Sequence, residues 1–155
     1  MMRYLGLDLG TKTIGVALSD ETGSMAMPLY TLRRTNISRD MAELVALMDE
    51  REVGEVVIGL PVNMDGSKGE RAAQTELFAK KLSQALCQRH GQMKTLPIIF
   101  WDERLSTVAV TRVMLDGDVS RAKRKQAVDK MAAAYILQGY LDSRANSGKE
   151  GAGNF

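Results

Sequence analysis

Residues Leu5 to Asp20 read LGLDLGTKTIGVALSD, two short apolar runs joined through Gly-Thr-Lys-Thr. In the second run Ile14, Val16 and Leu18 alternate with Gly15, Ala17 and Ser19, the period of two that marks a strand with one apolar face. Tyr4 to Leu9 is nearly all apolar, as expected of a strand covered on both faces. The Gly10–Thr13 link between them reads as a hairpin turn. Asp8 is the anomaly in this pattern. An ionised carboxylate taken out of water costs several kcal/mol unless something compensates it, so the rest of the chain has to supply a partner.

Beyond the hairpin, a third strand is expected over Ala26 to Arg33, with Pro28 placing it towards a sheet edge. The period then changes. Ser38 is placed to cap a helix from Arg39 to about Glu52, with Met41, Leu44, Val45 and Met48 on one stripe. Val56 to Gly59 reads as a short buried strand. The loop GLPVNMDGSKG follows, and Ser67 with Glu70 fits a capping box opening a helix to about His90. Pro97 to Trp101 reads as a fifth strand, with Phe100 and Trp101 assigned to the core. Helices are expected from about Thr107 to Leu115 and from about Ser120 to Asp142. The order βββαβαβαα predicts an α/β fold with a central mixed five-stranded sheet flanked by helices. It forms one domain over residues 1–142, and the polar tail 143–155 is expected to be disordered.

Composition removes several function classes. The chain has 155 residues, 45% hydrophobic and 26% charged, with a net charge of +2, so any nucleic-acid surface must be a local patch. A single cysteine, Cys87, and a single histidine, His90, leave little from which to build a zinc site or a cysteine nucleophile. No signal peptide or membrane-length apolar stretch is present, which leads to the expectation of a cytoplasmic protein without membrane contact.

Two further acids share the setting of Asp8. Glu103 lies just past the carboxyl end of an apolar strand, where ligands gather in open α/β sheets. From Asp129, the residues Ala132, Ala133, Ile136, Leu137 and Tyr140 fall on one helical stripe, so this acid points inward. Each has a local alternative. Asp8 could accept hydrogen bonds from the Gly10–Thr13 turn, Glu103 could pair with Arg104 or cap the next helix, and Asp129 could pair with Lys125. Together, three carboxylates form an oxygen-only set that suits Mg²⁺ or Mn²⁺ and the hydrolysis of a phosphodiester.

The loop after the fourth strand brings Asn63 and Lys68 to the same end of the sheet, where glycines permit close approach to a phosphate. Lys12 in the hairpin and Arg104 beside Glu103 join them as candidate nucleic-acid contacts. Arg121, Lys123, Arg124 and Lys125 precede Asp129 on its helix, and such a run reads either as a solvated face or as a set of phosphate contacts.

The segments GLDLGTKTIGVALSD, VIGLPVNMDGS, DERLST and AVDKMAAAYILQGYLD, in this order over residues 3–142, resemble the YqgF/RuvX family. That resemblance implies a ribonuclease H-like fold. It implies that Asp8, Glu103 and Asp129 are an acidic cluster binding Mg²⁺ or Mn²⁺ for metal-dependent nuclease activity. Asp20, Asp65 and Asp102 are the candidates for a fourth acid. The implied partners are nucleic acids, either a structured precursor of small-subunit ribosomal RNA or branched DNA, and a homodimer is compatible. Two competing readings are a non-catalytic nucleic-acid-binding module of the same fold and a nucleotide-binding protein like actin or the sugar kinases. The second needs two such domains, and the chain has no internal repeat.

Overall fold

The computed structural model of the chain describes residues 2–90, 96–105 and 121–153; the side chains described are those of 2–88, 96–104 and 128–146. Strands β1 (Arg3–Leu9), β2 (Thr13–Ser19) and β3 (Ala26–Arg33) are followed by helix α1 (Ile37–Glu50), strand β4 (Val53–Leu60) and helix α2 (Glu70–His90). Strand β5 (Ile98–Asp102) runs into a 3-10 turn at Glu103–Leu105, and the last described element is helix α3 (Arg121–Gly153). The five strands form one sheet in the order β3-β2-β1-β4-β5. β1, β2 and β3 pair antiparallel, whereas β4 pairs parallel to β1 and β5 parallel to β4. This is the mixed sheet anticipated above, with Pro28 on an edge strand.

Side-chain alternation divides the sheet into two faces. Leu5, Leu7, Ile14, Val16, Val56 and Ile58 point to one side and pack against Met41, Leu44, Val45 and Met48 of α1 and Phe78, Leu82 and Leu86 of α2. The intervening residues point to α3. There Tyr4, Ala17 and Val57 meet Ala132, Ala133, Ile136, Leu137 and Leu141. The α3 side is poor in large aliphatic residues because the helix crosses close to the strands, and small residues permit that approach.

Several boundaries differ from the sequence reading. The N-cap of α1 is Asn36, whose side chain accepts from the Arg39 N–H, so the helix starts before Ser38. The Ser67 hydroxyl does not cap α2; it donates to Asp65 Oδ1 at 2.6 Å and accepts from Asn63 Nδ2 at 2.9 Å, because the loop closes on itself before the helix begins at Glu70. Phe100 is 38% exposed, since its edge strand leaves that flank uncovered among the described residues. Helix α3 continues to Gly153, past the Asp142 end read from the sequence; no proline stops it, and past Asp142 glycine comes only at 148, 151 and 153. The helix expected over 107–115 lies outside the described residues. None of the described helices is long and apolar enough to cross a membrane.

Candidate active site

The carboxyl ends of β1, β4 and β5 and the start of β2 lie at one end of the sheet, and the candidate acids collect there. Asp8 is opposite Gly15 in the β1–β2 ladder, while Leu7 is opposite Ile58 in the β1–β4 ladder, which sets Gly59 beside Asp8 on the other flank. A row Gly15, Asp8, Gly59 therefore crosses three strands on the face covered by α3. Asp8, at 2% exposure, is the buried carboxylate in the middle.

The flanking glycines explain how two more acids reach this row. A Cβ on Gly15 would lie 1.9 Å from the Asp129 carbonyl oxygen, so only glycine lets the α3 backbone settle over β2 at this point. A Cβ on Gly59 would lie 3.0 Å from Glu103 Oε1 and 2.5 Å from Ile136 Cδ1. The Glu103 side chain thus folds back from the end of β5 over β4. Thr13, the first residue of β2, donates its hydroxyl to Asp129 Oδ2 and ties the helix to the strand. Asp8 lies between the two strand positions over which Asp129 and Glu103 are held.

An oxygen-only set at this place has the chemistry of a hard-cation site. The space over Gly59, which a side chain would fill, holds the Glu103 carboxylate, an oxygen donor of the type that suits Mg²⁺ or Mn²⁺. Among the described residues, no three acidic, histidine or cysteine side chains are gathered closely enough to ligate one ion as they stand. Carboxylates repel one another until a cation offsets their charge, which opposes a tighter gathering.

None of the three candidates for a fourth acid shares this position. Asp20 lies past the opposite end of β2, where it accepts from the N–H groups of Ser24 and Met25 and from the Thr22 hydroxyl; these bonds hold its pKa below the ordinary carboxylate value. Asp65 is likewise lowered, first by the Ser67 side chain and then by the Ser67 N–H. Asp102 is lowered chiefly by Arg104, whose Nη2 donates to it at 2.7 Å. Trp101 packs against Tyr140 of α3, so alternation turns Asp102 to the other face, while Glu103, in the 3-10 turn, reaches back over Gly59.

The cations anticipated from the sequence surround the site unevenly. Lys12 is exposed at the hairpin tip, where the Gly10 N–H donates to the Thr13 carbonyl. Asn63 and Lys68 are exposed in the loop after β4; Asn63 stabilises that loop through Ser67, and Lys68 pairs with Glu76 at 3.3 Å. Besides holding Asp102, Arg104 donates to the Met64 carbonyl at 3.1 Å and so latches this loop to β5. Arg121, Lys123, Arg124 and Lys125 occupy the first turns of α3, but their side chains lie outside those described.

Sequence reasoning missed Thr13, Gly15 and Gly59 as parts of the site. The small residues alternating with Ile14, Val16 and Leu18 were the available signal for a close helix, but nothing local identified which helix. It also missed Arg34 and Arg71, which donate to the carbonyls of Gly10 and Leu9.

A family model described as "RuvX: Holliday junction resolvase" matches residues 2–143. Two similar proteins, both named "Putative pre-16S rRNA nuclease", come from Methylocella silvestris and Rhodobacter capsulatus. The first is 51% identical and the match covers 90% of this chain and 82% of that protein. The second is 52% identical, covering 93% of this chain and 86% of that protein. Among solved structures, RuvC of T. thermophilus in complex with Holliday junction substrate superposes with a TM-score of 0.58 at 13% identity, covering 94% of this chain and 96% of that one. A second Thermus thermophilus RuvC structure gives 0.56, again at 13% identity, covering 94% and 97%. The likeness extends across the sheet and its helices and identifies the fold as ribonuclease H-like.

Proposed function

The chain belongs to the RuvX family, and from that premise we propose that it is a divalent-metal-dependent nuclease hydrolysing phosphodiester bonds at the Asp8 row. The observation that carries this reading is the convergence of Asp129 and Glu103 on the strands flanking Asp8, each over a glycine that clears the space. A purely structural carboxylate does not call for two more acids brought to it from a distant helix and a strand end.

Asp8, Glu103 and Asp129 are the residues that would hold Mg²⁺ or Mn²⁺. A bound ion supplies activation of the attacking water and neutralisation of charge at the phosphorus. The chain does the rest. Burial of Asp8 fixes its carboxylate in one place, and the Thr13 hydroxyl orients Asp129 through Oδ2. The loop latched by Arg104 carries Asn63 and Lys68 at the rim, and Lys12 at the hairpin tip adds a further cation for the backbone of the substrate.

The relatives named for pre-16S rRNA cleavage point to a structured RNA precursor as substrate, and the family description points to branched DNA. Both present the same phosphodiester to the acids. The test is cleavage of both substrates in Mg²⁺ and in Mn²⁺ by the parent and by Asp8→Asn, Glu103→Gln and Asp129→Asn. Each variant should lose nearly all cleavage while still binding nucleic acid. Undiminished cleavage by Asp8→Asn, or by the parent in chelator, contradicts the proposal.

A further inference from the structure

Behind the hairpin, on the side of the sheet away from the acids, α2 leaves a cavity of about 200 Å³ against Leu9, Gly10 and Thr11. Its cations are Arg34, Arg71 and Lys81, and no aspartate or glutamate lines it among the described residues. The Arg34 Nη1 group donates to the Gly10 carbonyl at 2.8 Å, and its guanidinium lies 5.7 Å from the centre of the Phe78 ring. Arg71 Nη2 reaches the Leu9 carbonyl at 3.4 Å. Each arginine thus grips, through one hydrogen bond, one of the two residues that follow Asp8, and a guanidinium has donors beyond the one so used.

Charge in this space is not balanced from within. Among the described residues the ion pair made by these three cations is that of Arg34 with Asp40, 3% exposed, whose Oδ2 stands 3.9 Å from Arg34 Nε and whose Oδ1 accepts from the Thr35 N–H and hydroxyl. Lys81 has no ion-pair partner among the described residues. Three cations line this partly enclosed space, and one of them is paired with a carboxylate at 3.9 Å. Bringing like charges together is unfavourable unless an anion offsets them. Two guanidinium groups and an ammonium are the donor types that suit a phosphate.

We infer that this cavity seats a non-scissile phosphate of the nucleic-acid strand being cut, so that the strand passes over the hairpin tip with its reacting phosphodiester at Asp8 on one side and a neighbouring phosphate held by Arg34, Arg71 and Lys81 on the other. The identity of the ligand rests on the nuclease reading above; the affinity of the cavity for phosphate does not. Besides holding the strand, the seat fixes its register, because the same arginines grip the backbone immediately after Asp8.

Two measurements on the full chain test the inference. Inorganic phosphate is titrated while the Nε–Hε signals of Arg34 and Arg71 are followed by NMR; both should shift saturably, and Lys81→Ala should weaken the response. Binding of a short single-stranded RNA is then measured across salt concentrations. Lys81→Ala should flatten the plot of log K against log salt by about 0.7, the slope that one neutralised phosphate contributes on a single strand. Lys80→Ala, on the flank of α2 that faces β5, should leave the slope unchanged. Absence of any phosphate response, or a parental slope in Lys81→Ala, overturns the seat even if the protein cuts nucleic acid. Phosphate shifts in a protein that neither binds nor cuts nucleic acid would instead remove the nuclease reading and with it the strand as ligand.

Discussion

The two faces of this sheet are made by the same strands and serve opposite ends. Towards α1 and α2 the strands present Leu5, Leu7, Ile14, Val16, Val56 and Ile58, a surface that excludes water and supplies most of the aliphatic core. Towards α3 they present Tyr4, Ala17 and Val57, which pack on the helix, together with Asp8, Gly15, Glu55 and Gly59, small and acidic residues that the other face lacks. The difference shows how one strand can stabilise the molecule and hold chemistry at once. Alternation lets Leu7 be buried in hydrocarbon while its neighbour Asp8 stands in the proposed carboxylate site. Most of the aliphatic core lies on one face, while the geometry of the proposed site is set on the other, beside a smaller apolar cluster.

Substitutions on the two faces should therefore separate stability from activity. Leu7→Ala removes a fully buried side chain from the aliphatic face and should cost about 2–5 kcal/mol in urea unfolding. Its cleavage rate per folded molecule should stay near that of the parent. A folded but inactive Leu7→Ala would break the division of labour.

Gly15→Ala should cost at least about 1–3 kcal/mol, since the added methyl meets the α3 backbone and the helix must move to accept it. Cleavage should fall further than stability does, because Asp129 moves with the helix. Thr13→Val removes a donor to Asp129 and should cost about 1 kcal/mol. It should lower cleavage, and Thr13→Ser should restore it. Failure of serine to rescue would mean that Thr13 acts through its methyl group and not through its hydroxyl.

The smallest effect is expected at the rim and should depend on pH. Arg104 lowers the pKa of Asp102, so the stability this pair contributes is fully present above the ordinary carboxylate value and is lost as pH falls through the lower folded value. The gap in melting temperature between the parent and Arg104→Ala should be widest at neutral pH and narrow progressively as pH falls below about 4. A gap that persists in acid would assign the effect to the Arg104 contact with the Met64 carbonyl instead.

Both faces were legible in the sequence to the extent that local pattern encodes them. The alternation in Ile14–Ser19 marked the strand and its apolar side. The helical stripe through Asp129 and the strand end before Glu103 placed two acids inward or at a strand tip, and the near-complete burial of Asp8 agrees with its anomalous place in an apolar run. Contacts between distant segments were not legible. Thr13 and Asp129 are 116 positions apart and Arg71 and Leu9 are 62 apart. Such pairs are created by the crossover of a helix over a strand, which no local spacing specifies. Ser67 was misread for the opposite reason: its spacing to Glu70 fits a cap, but Asp65, two residues away, competes for the same hydroxyl.

The central claim is that the acidic face holds a divalent cation, and Mn²⁺ binding to the metal-free chain tests it most directly. Calorimetric titration of the parent and of Asp8→Asn, side by side, isolates the contribution of the buried carboxylate. Saturable binding by the parent, weakened at least about tenfold in Asp8→Asn, is the predicted result, since even residues that only support a ligand typically change affinity by that much. Equal Mn²⁺ affinity in the two proteins would contradict the account.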